Sequence, residues 1–233
     1  MHGPFLSLII PVHNEAATLQ TLLEKLFSLA GQFAPGLEII IIDDASSDST
    51  TSILQGFEGH AGWRVIKHAS RKGTGASRKA GHRIAQGQWI AWIDADSTYP
   101  PEDVFRLAGE INDSTDQIIG ARLHPVWGRN WLRNSFKRMV FAWASWRMHS
   151  KIPDLNSGLR LIRRESASCW QEDLPDGFSC SSTATLSALD YGQKIVFCPI
   201  TYHPRHPLSR SKFHPFSDTL RLLKVVAKFP SPR

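Results

Sequence analysis

The sequence predicts an α/β fold, a mostly parallel sheet flanked by helices. Three observations carry that expectation. Short β-branched runs alternate with segments of helical period through residues 5–121. Residues 37–42, "LEIIII", have the β-branched apolar texture of a strand covered on both faces. Polar residues gather where the runs stop, as they do at the carboxyl ends of parallel strands, where ligands bind.

Residues 5–12 form the first Ile- and Leu-rich run. Residues 15–29 then repeat Leu19, Leu22, Leu23, Leu26 and Leu29 at the helical period. After the strand at 37–42, Ser47 or Asp48 is placed to cap a helix reaching about Phe57. Trp63–Lys67 is the third strand, 74–86 a helix, 89–93 the fourth strand. Residues 101–111 read as a helix opened by proline, and Gln117–Ala121 as a further strand. Strands joined through helices imply right-handed βαβ units. The first strand ends in "PVHNE", the second in Asp43-Asp44 and the fourth in Asp94-Ala95-Asp96, so four or five carboxylates converge on one edge.

The 233 residues suit one domain. Net charge is +6, unevenly spread: residues 1–120 hold 9 basic and 14 acidic residues, residues 121–164 hold 10 basic and one acidic. Residues 201–233 are basic again. Two basic zones call for an anionic partner. Nucleic acid, suggested by an isoelectric point of about 9.4, is opposed by the acidic first half. Three cysteines without CxxC spacing favour neither a disulfide framework nor a zinc site, and make a reduced, cytoplasmic setting the default. No stretch is long enough to span a bilayer, so a soluble or peripheral protein is expected.

Asp94 and Asp96 stand two apart, which in extended chain puts both on one side. Such hard oxygen ligands suit Mg2+ or Mn2+ together with phosphate oxygens. A capped strand end would explain the pair equally well in isolation.

The context is more specific. "LSLIIPVHNE", "LEIIIIDDASSDST" and "RKGTGASRKAGHRIAQGQWIAWIDADSTYPPED" together resemble the family 2 nucleotide-sugar glycosyltransferases of the GT-A fold. "GARLHPVWGRNWLRNSFKRM", "IPDLNSGLRLIRRE" and "PITYHPRHPLSRSKF" follow in the order of the branch that includes dolichol-phosphate mannosyl- and glucosyltransferases. The resemblance covers 6–226. It implies one GT-A domain over 1–233, with a nucleotide-sugar half at 1–120 and an acceptor half at 121–233.

By this resemblance Pro11, His13 and Glu15 line a nucleotide pocket, with Ile42 and Asp44 against the base. Asp94, Ala95 and Asp96 meet the diphosphate and the metal, Mg2+ or Mn2+. The Gly-rich loop before residues 74–86 would receive anions at a helix N-terminus. Arg122 and Arg133, with Asp154, are candidates for the acceptor phosphate, and Arg122 also for the diphosphate. Arg205 and Lys212 match a late basic motif that closes over the donor, although its usual glycine is missing and its spacing is one residue longer.

The branch carries a glutamate after "GF"; here "DGFSCSSTATLSALDYG" has Ser and Thr instead. A hydroxyl acceptor would need a base there. A lipid monophosphate, with a second pKa of about 6, would not. The implied reaction is inverting transfer from a UDP- or GDP-sugar to a polyprenyl phosphate. A hydroxyl of a glycolipid or polysaccharide as acceptor, or a binding-only protein, remain the rivals. Interleaved basic and aromatic residues at 127–149 (Trp127, Trp131, Phe136, Phe141, Trp143 and Trp146) and at 216–229 suit either a membrane surface or helices with buried aromatic faces. The expected location is the cytoplasmic face of a membrane, with a membrane-protein partner possible.

Overall fold

Parallel pairing of Ile-rich segments sets the centre of the protein. The computed structural model describes residues 5–33, 36–122, 131–203 and 215–229, with backbone alone at 32–33, 131–138 and 215–219. Strand β1 (Leu6–Val12) lies between β2 (Leu37–Asp43) and β4 (Trp89–Trp92), parallel to both. Strand β3 (Trp63–Lys67) extends β2 in parallel. Beyond β4 come β6 (Arg160–Arg163), β5 (Gln117–Ala121) and β7 (Ile195–Pro199). The order is β3-β2-β1-β4-β6-β5-β7. Strand β6 runs antiparallel to both of its neighbours, while β5 and β7 pair in parallel.

Side chains alternate across the sheet, as the period of two requires. Leu6, Leu8, Ile10, Ile39, Ile41 and Ala91 face one core, under helices α1 (Ala16–Phe33), α2 (Thr50–Gln55) and α4 (Glu102–Ala108). Ile9, Ile40, Ile42, Ile90 and Trp92 face another. That second face is covered by α3 (Thr74–Ile84) and α7 (Cys180–Asp190), with α6 (Arg164–Ala167) and a 3-10 turn (Gln171–Asp173) alongside. A third cluster joins α5 (Trp131–Arg147), α7 and α8 (Pro215–Lys228) through Val140, Ala144, Met148, Leu186, Leu222 and Val226.

The first five strands lie where the sequence predicts them, to within a residue. Helix α3 stops at Ile84, short of 86, because the Gln86 and Gly87 amides turn to the Glu38 carboxylate. Glu38 is itself buried against Ser7 and Arg64. The N-cap of α2 is Ser49, which makes no side-chain capping bond, so neither Ser47 nor Asp48 is the cap that the sequence suggested; Asp48, one place earlier, instead bonds to two helix starts. It accepts from the Thr50 amide at 3.0 Å and from the Ala16 amide at 3.3 Å, fixing the starts of α2 and α1 together. Among the described side chains of α5, Val140 and Ala144 are buried, with Met148 just beyond its end and Phe141 and Trp143 partly buried against them. Met139 and Trp146 are turned to solvent, at 60% and 67% exposure. Among the described residues no helix is long and apolar enough to cross a membrane.

The second core holds an unusual polar layer around Trp92. The guanidinium carbons of Arg78 and Arg160 lie 4.5 and 5.2 Å from its ring centroid. The Trp92 indole donates to His82 Nε2 at 2.8 Å, so the His82 proton sits on Nδ1, facing Gln171 Oε1 at 3.0 Å. Arg160 is fully buried and donates to Ser157 O, Thr185 Oγ1 and Gln117 Oε1. Burial, then the Arg78 charge, pulls the Arg160 pKa down to about 9.

His82 makes this layer sensitive to pH. Burial pulls its pKa from 6.5 to about 4, against the Gln171 hydrogen bond and helped by the Arg78 charge. The unfolded chain therefore takes up this proton first. The stability that His82 contributes is complete above pH about 6.5 and is lost as pH falls toward 4, a change of about 3 kcal/mol. Urea unfolding from pH 7 to 4.5 should show that decline, and His82→Gln should flatten part of it. An equal slope in both proteins would contradict the assignment.

Candidate active site

The carboxyl ends of β1, β2 and β4 open into a cleft of about 330 Å3. Pro11, His13, Glu15, Asp44, Asp94, Ala95 and Asp96 all line it. The sequence placed these residues together, and the parallel register explains why: Val12 is level with Asp43, and Ile9 with Trp92. Ile42 is a correction. The alternation of β2 sends it into the core beside Ile40 and Trp92, fully buried, rather than into the cleft wall. His13 Nδ1 is bonded to the Asp44 carbonyl at 2.8 Å. Asn14, at φ 52°, accepts from the Ser47 amide at 2.7 Å and joins the loops that follow β1 and β2.

The two aspartates after β4 are not presented by extended chain, as the sequence reading supposed. The strand ends at Trp92, the chain turns at Ala95 and Asp96, and Ser97 takes φ 58°. Asp94 Oδ1 accepts from Arg78 Nη2 at 2.8 Å. Arg78 is 2% exposed, and its other end donates to Ser181 Oγ at 2.7 Å and Cys180 Sγ at 3.1 Å. Asp94 Oδ2 abuts Gly158, where a Cβ would lie 2.2 Å from it. Asp96 Oδ1 accepts from the Thr98 amide at 3.1 Å and hydroxyl at 2.6 Å. Thr18 Oγ1 donates to the Ala95 carbonyl at 2.9 Å, tying this turn to α1.

Among the described residues no group of three or more His, Cys, Asp or Glu side chains converges on one point. Asp94 and Asp96 both line the cleft and are hard oxygen donors, to which water and phosphate oxygens could be added around a divalent cation. That donor set fits Mg2+ or Mn2+.

The Gly-rich loop is built differently from the anion cradle expected of it. The Lys72 and Gly73 amides donate to Asp44 at 2.8 and 2.7 Å. The Gly75 and Ala76 amides, in the first turn of α3, both donate to the Asp176 carbonyl, at 2.7 and 3.2 Å. Protein oxygens already hold these amides. A Cβ at Gly75 would lie 1.9 Å from the Pro175 carbonyl, so glycine is required there for segment 175–177 to dock. What the loop gives the cleft is the exposed side chains of Arg71 and Lys72, with Gly177 and Phe178 opposite.

The acceptor candidates pair with each other. Arg122 grips Asp154 through Nε at 2.7 Å, Nη2 at 2.8 Å and its amide at 3.1 Å, and Asn156 Oδ1 through Nη2 at 2.8 Å. Its guanidinium lies 5.2 Å from the Tyr202 ring. Neither Arg122 nor Asp154 lines the cleft. Tyr99 links the regions: its hydroxyl accepts from the Gly158 amide at 2.9 Å, and burial pushes its pKa up to about 12. The side chain of Arg133, and Arg205 and Lys212 altogether, lie outside the described residues.

The sequence reading gave the individual Lys and Arg residues of α3 no part in the site. Arg78 is instead the buried cation beneath Asp94. Its only local sign is its place within "GASRKAG", on the face of α3 that carries Gly81 and His82 into the core. His68, at 2.8 Å from Asp44 Oδ1, gave no sequence signal.

The model of glycosyl transferase family 2 matches residues 7–170. An undecaprenyl-phosphate 4-deoxy-4-formamido-L-arabinose transferase of Aeromonas hydrophila is 27% identical over 171 residues, covering 71% of this chain and 52% of the relative. A dolichol-phosphate mannosyltransferase of Pyrococcus furiosus is 34% identical over 118 residues, 50% of this chain and 32% of the relative. This chain therefore spans from about a third to about half of these curated relatives. Among solved structures, glucosyl-3-phosphoglycerate synthase from Mycobacterium tuberculosis, in complex with phosphoglyceric acid, superposes with a TM-score of 0.76. That match covers 99% of this chain and 81% of the other at 17% identity. A mannosyltransferase from Pyrobaculum calidifontis, in complex with GDP-Man and Mn2+, gives 0.70 over 99% and 66% at 16% identity. The fold is GT-A.

The contact between Gly158 and Asp94 can be tested by overpacking. Gly158→Ala should cost about 1–3 kcal/mol in urea unfolding, with secondary structure kept. Much of that loss should vanish in an Asp94→Ala background, where the crowded oxygen is gone. A loss of equal size in both backgrounds would refute the clash.

Proposed function

We propose, from the premise that this chain belongs to glycosyl transferase family 2, that it moves a sugar from a UDP- or GDP-sugar to a polyprenyl phosphate with inversion. The observation that supports this most is the cleft itself. It has Asp44 and His13 at one end, Asp94 and Asp96 at the other, and basic Arg71 and Lys72 alongside. A nucleoside diphosphate has the matching order of groups, with base at one end and phosphates at the other.

In this reading the base and ribose lie over Pro11, His13 and Asp44, and the diphosphate reaches Asp94, Ala95 and Asp96. Asp94 and Asp96 would hold Mg2+ or Mn2+, which supplies positive charge to the departing nucleoside diphosphate. Arg78 fixes Asp94 in place before donor arrives, so less ordering remains to be done on binding. By resemblance, Arg205 and Lys212 add charge around the phosphates.

The surroundings of several acids support this acceptor class. Asp94, Asp96 and Asp44 are engaged by Arg78, Thr98 and His68, and Asp154 by Arg122. Helix α7, entered just after Phe178, has no acid before Asp190. A sugar hydroxyl would need a base in that region. A lipid monophosphate arrives ionised, and its nucleophilic oxygen needs only electrostatic clamping and alignment. Arg122, ordered by Asp154, and Arg133 are the proposed clamp. The exposed Trp146 and Met139 of α5, with Arg221, Lys224 and Lys228 of α8, suit a headgroup surface carrying that acceptor.

A panel of UDP- and GDP-sugars with Mn2+, with and without a short polyprenyl phosphate, tests this reading. Release of nucleoside diphosphate should depend on the lipid phosphate, and the new glycosidic bond should have inverted configuration. Asp96→Ala should lower turnover by about 100-fold or more; full metal-dependent turnover would remove Asp96 from the site. With no protein base involved, turnover should rise with ionisation of the acceptor near pH 6 and stay level to pH 8. A further rise governed by a protein group would favour a hydroxyl acceptor.

A further inference from the structure

Asp44 has little hydrogen-bonding capacity left, and that narrows the base it can recognise. An ionised carboxylate only accepts, at about four lone-pair positions over two oxygens. Asp44 Oδ1 accepts from His68 Nδ1 at 2.8 Å and from the Lys72 amide at 2.8 Å. Asp44 Oδ2 accepts from the Gly73 amide at 2.7 Å. By this count Oδ1 is filled, while Oδ2 has room for one further donor. The backbone carbonyl of Asp44 is engaged as well, by His13. The residue is 3% exposed yet lines the cleft, so a ligand meets it at a single point. Burial pushes its pKa up, but the bonds from His68, Lys72 and Gly73 outweigh that and hold it below the ordinary range. It stays an acceptor at neutral pH.

The nucleobases differ at the edge they would present. Uracil and thymine offer one imide N–H between two carbonyl oxygens. Guanine offers two adjacent donors, which pair best with both oxygens of a carboxylate. Adenine and cytosine place an amino group beside a bare ring nitrogen, which a carboxylate repels. An acceptor with one position left matches the imide. The flanking carbonyls then need donors, and Arg71 and Lys72, which line the same cleft, have only donors to give.

We infer that the site selects a donor with an imide base, uracil or thymine, over guanine, and that His68 sets this choice by occupying Asp44 Oδ1. The inference rests on the proposed placement of the donor base against Asp44. A guanine amino group left unpaired there would weaken binding by about 10-fold or more.

Calorimetric titration of the full chain in Mn2+ with UDP, dTDP, GDP and ADP tests this. The expected result is that UDP, dTDP or both bind at least about 10-fold more tightly than GDP or ADP. The two imide nucleotides separate a site that accepts the thymine methyl from one that requires the ribose 2′-hydroxyl. His68→Leu should then bring the UDP and GDP affinities closer by reopening a position on Oδ1. A general loss of structure would weaken both nucleotides alike and leave their ratio unchanged. GDP or ADP binding as tightly as UDP in the native chain would overturn the inference while leaving the nucleotide-sugar reading intact. A UDP preference unchanged in a His68→Leu protein that still binds UDP as tightly as the native chain would overturn the role of His68. No binding of any nucleotide would overturn the donor reading and this inference together.

Discussion

A guanidinium buried under a carboxylate holds the cleft in shape. Two aspartates at a strand end repel each other and lose hydration, so such an edge needs a compensating positive charge. Arg78 supplies it to Asp94 at 2.8 Å, from the floor of the cleft rather than from solvent. Arg78 could not be buried alone. Trp92 lies beneath its guanidinium, and Ser181 and Cys180 accept from Nη1 at the start of α7, while Nε is buried without a hydrogen-bond partner. One ion pair thus joins the turn after β4 to α3 and α7 at the Asp94 end of the cleft.

The opposite end depends on a second carboxylate used in the same way. Asp44 gathers the Lys72 and Gly73 amides and the His68 ring, so the loop leading into α3 folds around it. The Asp176 carbonyl then caps α3 from the far side. In both places a polar group that lines the cleft is first a structural partner. Removing either acid would alter the walls of the cleft as well as its chemistry, so variants that keep the shape are the more informative ones.

Beyond the central sheet, charge is arranged for a different purpose. Arg122 and Asp154 neutralise each other away from the cleft, and Tyr99 connects them to the Asp94 turn through Gly158. Helices α5 and α8 pack through aliphatic side chains with Phe141, Trp143 and Phe229 against them, and Arg147 closes the end of α8 by donating to the carbonyls of Ala227 and Phe229. That packing leaves Trp146, Met139 and Leu220 in solvent among basic residues.

The sequence by itself determined the α/β order, the positions of five strands and the set of acids at their ends. These features are local: β-branched runs, helical periods and residues a few places apart carry them, and the sheet register then aligns the strand ends. It left β7, α7 and the antiparallel setting of β6 unassigned. Helix α7 is buried on all sides with Ser and Thr throughout, so it shows almost no amphipathic period to read. Tertiary structure alone decided which partners the acids take. Arg78 meets Asp94 across 16 positions and Ser181 across 103, and Asp44 meets Lys72 across 28. A charge on α3 reads as solvated until the strand it faces is known, and Ile42 reads as available until the alternation of its strand turns it inward. Burial is a property of the assembled layers, and it is burial that made Arg78 a fixed counter-charge and Asp44 a nearly saturated acceptor.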